Sequence, residues 1–330
     1  MKLNENVGKI KSFVNGYKAS YIIMAAVRLG IFNVLSDCPK SAQEIAVNMQ
    51  LEERKIEPIL NALAHFGLID KENNGFALTE YSDVLCPHSP LSQLGYIDHA
   101  YNMTKKWSAI ENVIKNENVS EVNFGGITGG DINQTRAFLN AMNTNAITQA
   151  KFLVQNYDFA NHNFIDIGAG YGTYSFEIAK KYPTSMGVAF DLPIAISIIE
   201  ENIKKENLNC QITAIPGNYK TYLPEGPFDD ALLFAVVHQE NEVEVNKLLK
   251  KVYNLLNVGG KLYLTSFFVD DSRIEPEFSV LFGVEMLVGS KEGRVYSHNE
   301  IFNFLRNAGF NSVECVTQIP GPATLYIAEK

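Results

Sequence analysis

The chain has 330 residues, with 37 acidic against 28 basic side chains and a formal net charge of -9. That balance argues against a nucleic-acid-binding surface, whose footprint is basic. At 46% hydrophobic and 20% charged, it has the composition of an ordinary globular protein, long enough for two domains or for one large domain with an attachment.

No apolar run approaches the ~20 residues that span a bilayer, and the first residues, Met1 to Asn6, lack the apolar core of a signal peptide. A cytoplasmic location with no membrane partner is expected. Cys38, Cys86, Cys210 and Cys315 lack metal-ligand spacing, so they are expected to be reduced and mostly packed in the interior, with no metal site.

Val14 to Leu35 reads as a long helix with apolar residues on more than one face, which implies burial beyond a single groove and leaves room for a partner chain. Ser41-Ala42-Gln43-Glu44 is a capping box that opens a short helix through Met49. A second helix, from Glu52 to Phe66, turns Ile56, Ile59, Leu60 and Leu63 inward and stops at Gly67. Leu68 to Asp70, a turn through Asn73, Asn74 and Gly75, and Phe76 to Thr79 read as a hairpin. Two helices and such a wing make a winged helix, a shape that raises DNA binding. Arg54, Lys55 and His65 are interleaved with Glu52, Glu53 and Glu57, however. No basic stripe forms for phosphates, and packing with dimer formation is the better reading.

Leu91 to Lys115 continues as helix. Its Tyr96, Tyr101, Met103 and Trp107 suit a core more often than a pocket wall, although pockets are themselves mostly apolar. Residues 123–130 form a glycine-rich break, expected to be a linker or lid. Arg136 to Tyr157 reads as a connecting helix with Phe138, Leu139, Met142, Ile147 and Phe152 as its apolar positions.

The chain is organised around the next stretch. Phe164, Ile165 and Ile167 make a short apolar run typical of a buried parallel strand, followed at once by Gly168, Gly170 and Gly172 and then by a helix closed by Pro183. A strand, a turn of bare backbone and a helix N-terminus form a ligand cradle, because a cofactor can approach closely and exposed amides can bind it. The next apolar run, Met186 to Phe190, ends in Asp191-Leu192-Pro193. An acidic residue about 20 positions beyond the glycine turn is placed to accept both hydroxyls of a ribose. The spacing Gly-x-Gly-x-Gly favours S-adenosylmethionine over a dinucleotide.

The α/β alternation then continues, with a helix from Ile196 to Glu206, strands from Gln211 to Ile215 and Ala231 to Val237, a helix from Glu242 to Leu256, a turn at Gly259-Gly260 and a strand from Leu262 to Phe268. Each unit fits a parallel sheet covered on both faces. A helix from Asn299 to Ala308 precedes two strand-like runs, Ser312 to Thr317 and Thr324 to Ala328, whose tight connection implies that they are antiparallel.

The residues now resemble a known family across nearly the whole chain. Ala25 to Phe32, the stretch from Ser41 to Thr79, Phe138 to Met142, the glycine cradle, Phe190 to Pro193, His238, Val258 to Lys261, Glu292 to Arg294 and Ala308 to Phe310 are similar to the caffeate/acetylserotonin type of S-adenosylmethionine-dependent O-methyltransferase. The resemblance implies an α/β fold in which a Rossmann-like class I methyltransferase sheet follows an N-terminal, mostly helical winged-helix dimerisation domain. The expected division is dimerisation domain 1–90, helical connecting and substrate-lining region 91–157, and cofactor-binding methyltransferase domain 158–330. It also implies an intertwined homodimer and a sheet whose last strand runs antiparallel.

On this reading Asp166, Gly168, Gly170, Gly172, Asp191, Leu192, Gly217, Asn218 and Tyr219 contact S-adenosylmethionine, with S-adenosylhomocysteine as product. Trp107, Met142, Phe282 and Met286 line the site of a small-molecule acceptor bearing a hydroxyl, aromatic or polyketide-like. His238, directly after the fourth strand, corresponds to the family's general base. A phenol near pKa 10 and an imidazole near 6.5 are mismatched by about 3.5 units, so proton removal must be concerted with methyl transfer or helped by the site.

The chain also departs from the family pattern. Gln239-Glu240 stands where Asp-Trp usually follows the histidine. The two acids that commonly orient it align with Ser266 and Val295, and the adenine-binding acid aligns with Asn218. Glu240 and Glu242 read as a solvated helix start rather than as replacements for those acids. The alternative is a family member that keeps the cofactor but performs decarboxylation, hydroxylation or a pericyclic step, and a DNA-binding regulator with a ligand-sensing domain is the third reading.

Overall fold

A computed structural model describes residues 2–72, 75–89, 91–115 and 131–330. Asn73, Asn74 and the glycine-rich break at 123–130 lie outside the described residues. The chain gathers into two compact units, Met1–Thr104 and Lys105–Lys330.

In the first unit the helix expected from Val14 to Leu35 is three pieces, α1 (Lys2–Asn15), α2 (Tyr17–Leu29) and α3 (Ile31–Val34). Gly30 ends α2 at φ 81°, with its N–H returned to the carbonyls of Ala26 and Val27. That left-handed turn is the reason the helix cannot run on. A two-residue strand β1 (Lys40–Ser41) leads into α4 (Ala42–Met49), where Ser41 and Glu44 form the anticipated reciprocal cap. Beyond α5 (Glu53–His65), β2 (Ile69–Glu72) and β3 (Gly75–Leu78) complete a three-stranded wing in the order β1-β3-β2.

Met24, Ala26, Phe32, Ile45, Ile56, Leu60, Leu63, Ile69 and Phe76 form the core of this unit. Glu52 lies 2.5 Å from Lys55 and 3.9 Å from Arg54 at the start of α5. On α1 and α2, Ile10, Phe13, Val14, Tyr17 and Tyr21 stay exposed, Phe13 at 70%.

The helix expected from Leu91 to Lys115 is α6 (Leu94–Trp107) and α7 (Ile110–Lys115). The second unit begins within α6 and continues into the long α8 (Ile132–Asn156), whose first turn is capped by Asp131 Oδ1 accepting from Asn133 N at 2.8 Å. Then come β4 (Asn163–Ile167), α9 (Thr173–Lys181), β5 (Met186–Asp191), α10 (Pro193–Glu206), β6 (Ile212–Pro216), β7 (Phe228–Phe234), α11 (Glu242–Leu255), β8 (Leu256–Ser266), α12 (Glu277–Gly289), α13 (His298–Ala308), β9 (Ser312–Val316) and β10 (Thr324–Glu329). The glycines expected as a turn before the fifth strand lie inside β8, which begins at Leu256. Helix α12 is apolar on nearly every side, so it offers no 3.6-residue periodicity for sequence reasoning to catch.

The sheet has seven strands in the order β6-β5-β4-β7-β8-β10-β9. Strands β4 to β8 pair in parallel, and β10 runs antiparallel to both of its neighbours. Period-two alternation splits the core in two. Ile165, Ile167, Leu233, Leu262 and Leu264 face α11 and α13 through Leu248, Leu249, Ile301 and Leu305. Phe164, Ala189, Leu232 and Tyr263 face the other way, toward α8, α9 and α10. Strand order reverses between β4 and β7, and in an open sheet the crevice at the carboxyl ends of such a pair is where ligands bind.

Among the described residues no helix is long and apolar enough to cross a membrane. The cysteines correct an expectation: all four are free, but Cys38, Cys210 and Cys315 are exposed and only Cys86 is buried. Cys315 lies on β9, the edge strand of the sheet.

Ile165 is fully buried at the centre of the sheet. Ile165→Ala is expected to lower unfolding free energy by about 2–5 kcal/mol. Guanidinium denaturation monitored by circular dichroism checks this, and a loss below about 1 kcal/mol would contradict the packing described.

Candidate active site

The site is built on the carboxyl ends of β4, β5, β6 and β7. Strand β4 closes on Asp166 and Ile167, and the chain turns through Gly168 and Gly170 at φ 76° and 60° before Gly172 caps α9. A Cβ on Gly168 would stand 2.7 Å from Val236 Cγ2, so the turn there is pressed against the end of β7. At Gly170 an added Cβ would meet only ordinary contacts, the nearest Leu139 at 3.6 Å, which leaves that stretch of backbone open to a ligand.

Asp191 ties this turn to the next strand. One carboxylate oxygen accepts from Gly170 N and the other from Leu192 N, each at 2.7 Å. The Phe190 carbonyl accepts from Gly168 N at 2.8 Å, and Gly217 N donates to the Asp191 carbonyl at 2.8 Å. Burial raises the Asp191 carboxyl above the usual range, and the two backbone donors oppose that rise. Each carboxylate oxygen keeps a further lone pair, so the side chain can still accept a pair of vicinal hydroxyls. Asp166 is more deeply buried. Its pKa is pushed up to about 7 by desolvation, against a hydrogen bond from Ser175 Oγ at 2.7 Å, with the nearby Asp191 charge raising it further. Bare backbone at Gly170 and a buried carboxylate with lone pairs to spare fit an adenosyl group.

Past β6, Gly217, Asn218 and Tyr219 fare differently. A Cβ at Gly217 would run into the Phe190 ring at 2.5 Å, so that glycine serves internal packing. Asn218 is exposed, and its Oδ1 accepts from Lys220 N at 2.9 Å, closing a local turn. Tyr219 points inward and donates its phenol to Glu240 Oε1 at 2.7 Å. Glu240, expected on a solvated helix start, is only 3% exposed. Lys220 Nζ lies 2.7 Å from its second oxygen, and Tyr296 donates to its carbonyl at 2.6 Å. The loop after β6 and the loop after β7 are therefore one hydrogen-bonded unit. Glu242 remains exposed.

His238 sits in a short turn just beyond β7 and is 6% exposed. Ala235, at φ 55°, bends the chain sharply three residues earlier, a conformation that costs a non-glycine residue about 1 kcal/mol and tends to mark functional turns. Nδ1 of His238 lies 3.0 Å from Ser266 Oγ, and its carbonyl accepts from Arg294 N at 2.9 Å. The ring is edge-on to Phe282, with centroids 4.9 Å apart, and Phe267 stacks at 5.9 Å. Burial alone pushes the imidazole down to about 4. A serine hydroxyl can donate or accept, so it does not fix the tautomer as a carboxylate would. Val295 is buried and apolar.

Of the acceptor-lining residues expected from sequence, Phe282 is the one the structure brings against His238. Met286 lies one turn further along α12, Met142 is half-buried in α8, and Trp107 ends α6. Sequence reasoning missed Ser175, Phe267, Phe278 and the Tyr219–Glu240 bond. Ser175 and Phe267 stood within predicted elements, the helix closed by Pro183 and the end of an apolar strand; Phe278 did not. Among the described residues no group of acidic, histidine and cysteine side chains could hold a metal ion.

A family profile described as an O-methyltransferase domain matches residues 110–311, and one described as an O-methyltransferase dimerisation domain matches residues 12–88. The chain is 25% identical over 98% of its length, and 96% of the relative's, to the tetracenomycin polyketide synthesis 8-O-methyl transferase TcmO of Streptomyces glaucescens. It is 23% identical over 94% of each chain to acetylserotonin O-methyltransferase of Bos taurus. The solved structure of PigF with SAH superposes with a TM-score of 0.89 at 23% identity, over 98% of this chain and 99% of that one, and shares its fold. This chain belongs to the O-methyltransferase family, with an N-terminal dimerisation domain ahead of the catalytic one.

Gly168→Ala is expected to weaken binding of S-adenosylhomocysteine by about tenfold or more, because a left-handed alanine costs roughly 1–2 kcal/mol and its Cβ displaces the turn. Titration calorimetry reads this, and unchanged affinity would detach the turn from the ligand. His238 gives a signed pH effect: its folded pKa, about 4, lies below the unfolded value near 6.5. Its contribution is full above 6.5 and lost as pH falls toward 4. The His238→Asn variant should therefore lose less stability than wild type between those two pH values, which paired denaturation curves would reveal. Equal slopes would mean that the imidazole is not held neutral.

Proposed function

We propose that the protein transfers a methyl group from S-adenosylmethionine to a hydroxyl of a small aromatic or polyketide-like intermediate, with His238 as general base. The reading is carried by one observation: a buried histidine stands at the carboxyl end of β7, beside the switch-point crevice whose other wall is the Gly168–Gly172 cradle and Asp191. The relatives' names, among them a polyketide 8-O-methyl transferase and an acetylserotonin O-methyltransferase, suit that acceptor class.

When bound, the cofactor supplies an electrophilic methyl on a sulfonium, and the protein's share is to orient the acceptor and take its proton. Asp191 would hold the ribose hydroxyls, and the bare backbone at Gly170 would leave room for the adenosyl portion. Phe282 and Phe267 present aromatic surfaces on which a flat acceptor can stack beside the imidazole. With Nδ1 of His238 engaged by Ser266, Nε2 is the nitrogen left to accept the proton. Nε2 of His238 would take the proton of the acceptor hydroxyl as that oxygen is methylated.

Base strength sets the timing. An imidazole held near 4 is about 6 units short of a phenol near 10, so complete deprotonation before transfer is unfavourable by roughly 8 kcal/mol. The proton must leave as the methyl arrives, when the oxygen becomes strongly acidic. Because His238 lacks a carboxylate partner, a second reading stays on the table, in which the chain binds the cofactor but performs decarboxylation, hydroxylation or a pericyclic step. For assembly we propose a homodimer, in which the apolar side chains Ile10, Phe13, Val14, Tyr17 and Tyr21 are covered by a second copy.

With methyl-labelled cofactor and a panel of phenols, wild type is expected to yield labelled ether and S-adenosylhomocysteine. His238→Ala should bind S-adenosylhomocysteine as wild type does but turn over about 10²-fold more slowly or worse. Undiminished turnover would remove His238 from the mechanism, and consumption of acceptor without label transfer would favour the second reading.

A further inference from the structure

A second cleft lies at the amino ends of β4, β7 and β8, the end of the sheet opposite the cradle and His238. Its volume is about 430 Å³, within the range of roughly 300–1,000 Å³ typical of small-molecule sites. Strand pairing explains which side chains meet there. Phe164 pairs with Asp230 and Asp230 with Lys261, so Asp230, Lys261 and, two residues on, Tyr263 stand on the face of the sheet that α8 covers. Tyr157 and Asp158, just past the end of α8, and His162, just before β4, complete the lining.

Two polar groups in this cleft are buried with capacity to spare. Asp230 is 1% exposed, and burial pushes its carboxyl up to about 6. Its Oδ2 lies 2.6 Å from His162 Nδ1, while Oδ1 makes no hydrogen bond among the described residues. The neighbouring Asp229 has no such vacancy, since its oxygens accept from Asn163 N at 2.9 Å and from Asn257 Nδ2 at 2.8 Å. Tyr263 is 2% exposed, and its phenol also makes no hydrogen bond among the described residues. Burial raises that phenol's pKa, and the Asp230 charge and then that of Asp158 raise it further, so the hydroxyl stands among the acids. A desolvated carboxylate oxygen and a desolvated phenol lining one cleft cost free energy until a donor reaches them.

We propose that this cleft is a second small-molecule site, which takes an organic primary ammonium on a flat or apolar body. One N–H goes to Asp230 Oδ1, one to the Tyr263 phenol oxygen and one to the Asp158 carboxylate, so three donors meet three acceptors. Tyr157 and Tyr263, with ring centroids 5.5 Å apart and planes at 64°, set aromatic surface beside that charge. Asp158, Asp229 and Asp230 outnumber Lys261 and His162, so an anion is repelled. A neutral alcohol leaves the Asp230 charge uncompensated.

Titration calorimetry with S-adenosylhomocysteine saturating, so that the cofactor crevice is filled, compares benzylammonium, benzyl alcohol and benzoate as probes. Wild type is expected to bind benzylammonium saturably with Kd of about 1 mM or tighter, and at least about tenfold more tightly than the other two. Asp230→Asn should weaken benzylammonium about tenfold and Tyr263→Phe about threefold. Lys261→Met should strengthen it about twofold or more, because a like charge is removed. A purely structural role for these side chains predicts no such gain. All three variants are expected to keep wild-type affinity for S-adenosylhomocysteine. No saturable binding of benzylammonium, equal binding of benzyl alcohol, or unchanged benzylammonium affinity in both Asp230→Asn and Tyr263→Phe would each overturn the proposal. So would loss of benzylammonium binding when S-adenosylhomocysteine is added, which would put the amine in the cofactor crevice. If Asp230→Asn fails to fold, the comparison of probes on wild type and the opposite shifts in Tyr263→Phe and Lys261→Met still decide. The methyl-transfer reading is tested separately, by label transfer and His238→Ala.

Discussion

The cradle depends on a carboxylate being held by backbone. Asp191 takes one N–H from the glycine turn after β4 and one from its own following residue, so two parallel strands and the turn between them are fixed relative to one another by a single side chain. The cost is a desolvated acid, whose carboxyl burial raises and the two backbone donors pull back down. Cofactor geometry, the position of the β7 turn and the orientation of His238 all follow from that arrangement, because Gly168 packs directly on Val236, two residues before the histidine.

Those parts were legible in the sequence for a local reason. A buried strand, a glycine turn and an acid at the end of the next strand are all read from contiguous residues, and a parallel sheet imposes that order. Glu240 was not legible. Read alone it belongs to an acidic helix start, and only the fold brings Tyr219 and Lys220, some 20 residues earlier, around it. Helix α12 escaped for the opposite reason: it is apolar on most sides, so no periodicity betrays it, although it supplies the aromatic face beside the base. The long helix expected from Val14 and ending near Gly30 to Leu35 does stop at Gly30, in a left-handed turn, but it starts at Tyr17 after a break at Gly16, and Ile31–Val34 form a separate short helix.

The surroundings of His238 show how little of an imidazole's proton affinity belongs to the ring itself. Ser266 gives it a hydrogen bond but no charge, Val295 gives it neither, and burial moves the imidazole well below its solution value. On the proposed mechanism, catalysis by such a group would come from placement and from the acidity the acceptor gains as its oxygen is methylated, rather than from proton affinity in the resting state.

The register of β4 against β5 constrains how the family's sequences can drift. Asp166 pairs with Ala189 and Ile167 with Phe190, so Asp191 sits one step past the last residue of β5 that pairs with β4. Because side chains alternate across a strand, inserting or deleting one residue within β5 would turn the Asp191 carboxylate to the opposite side of the sheet. Length changes between Gly172 and Asp191 can therefore accumulate only in the short connection between α9 and β5, around Pro183 and Thr184, and a relative's indels should cluster there.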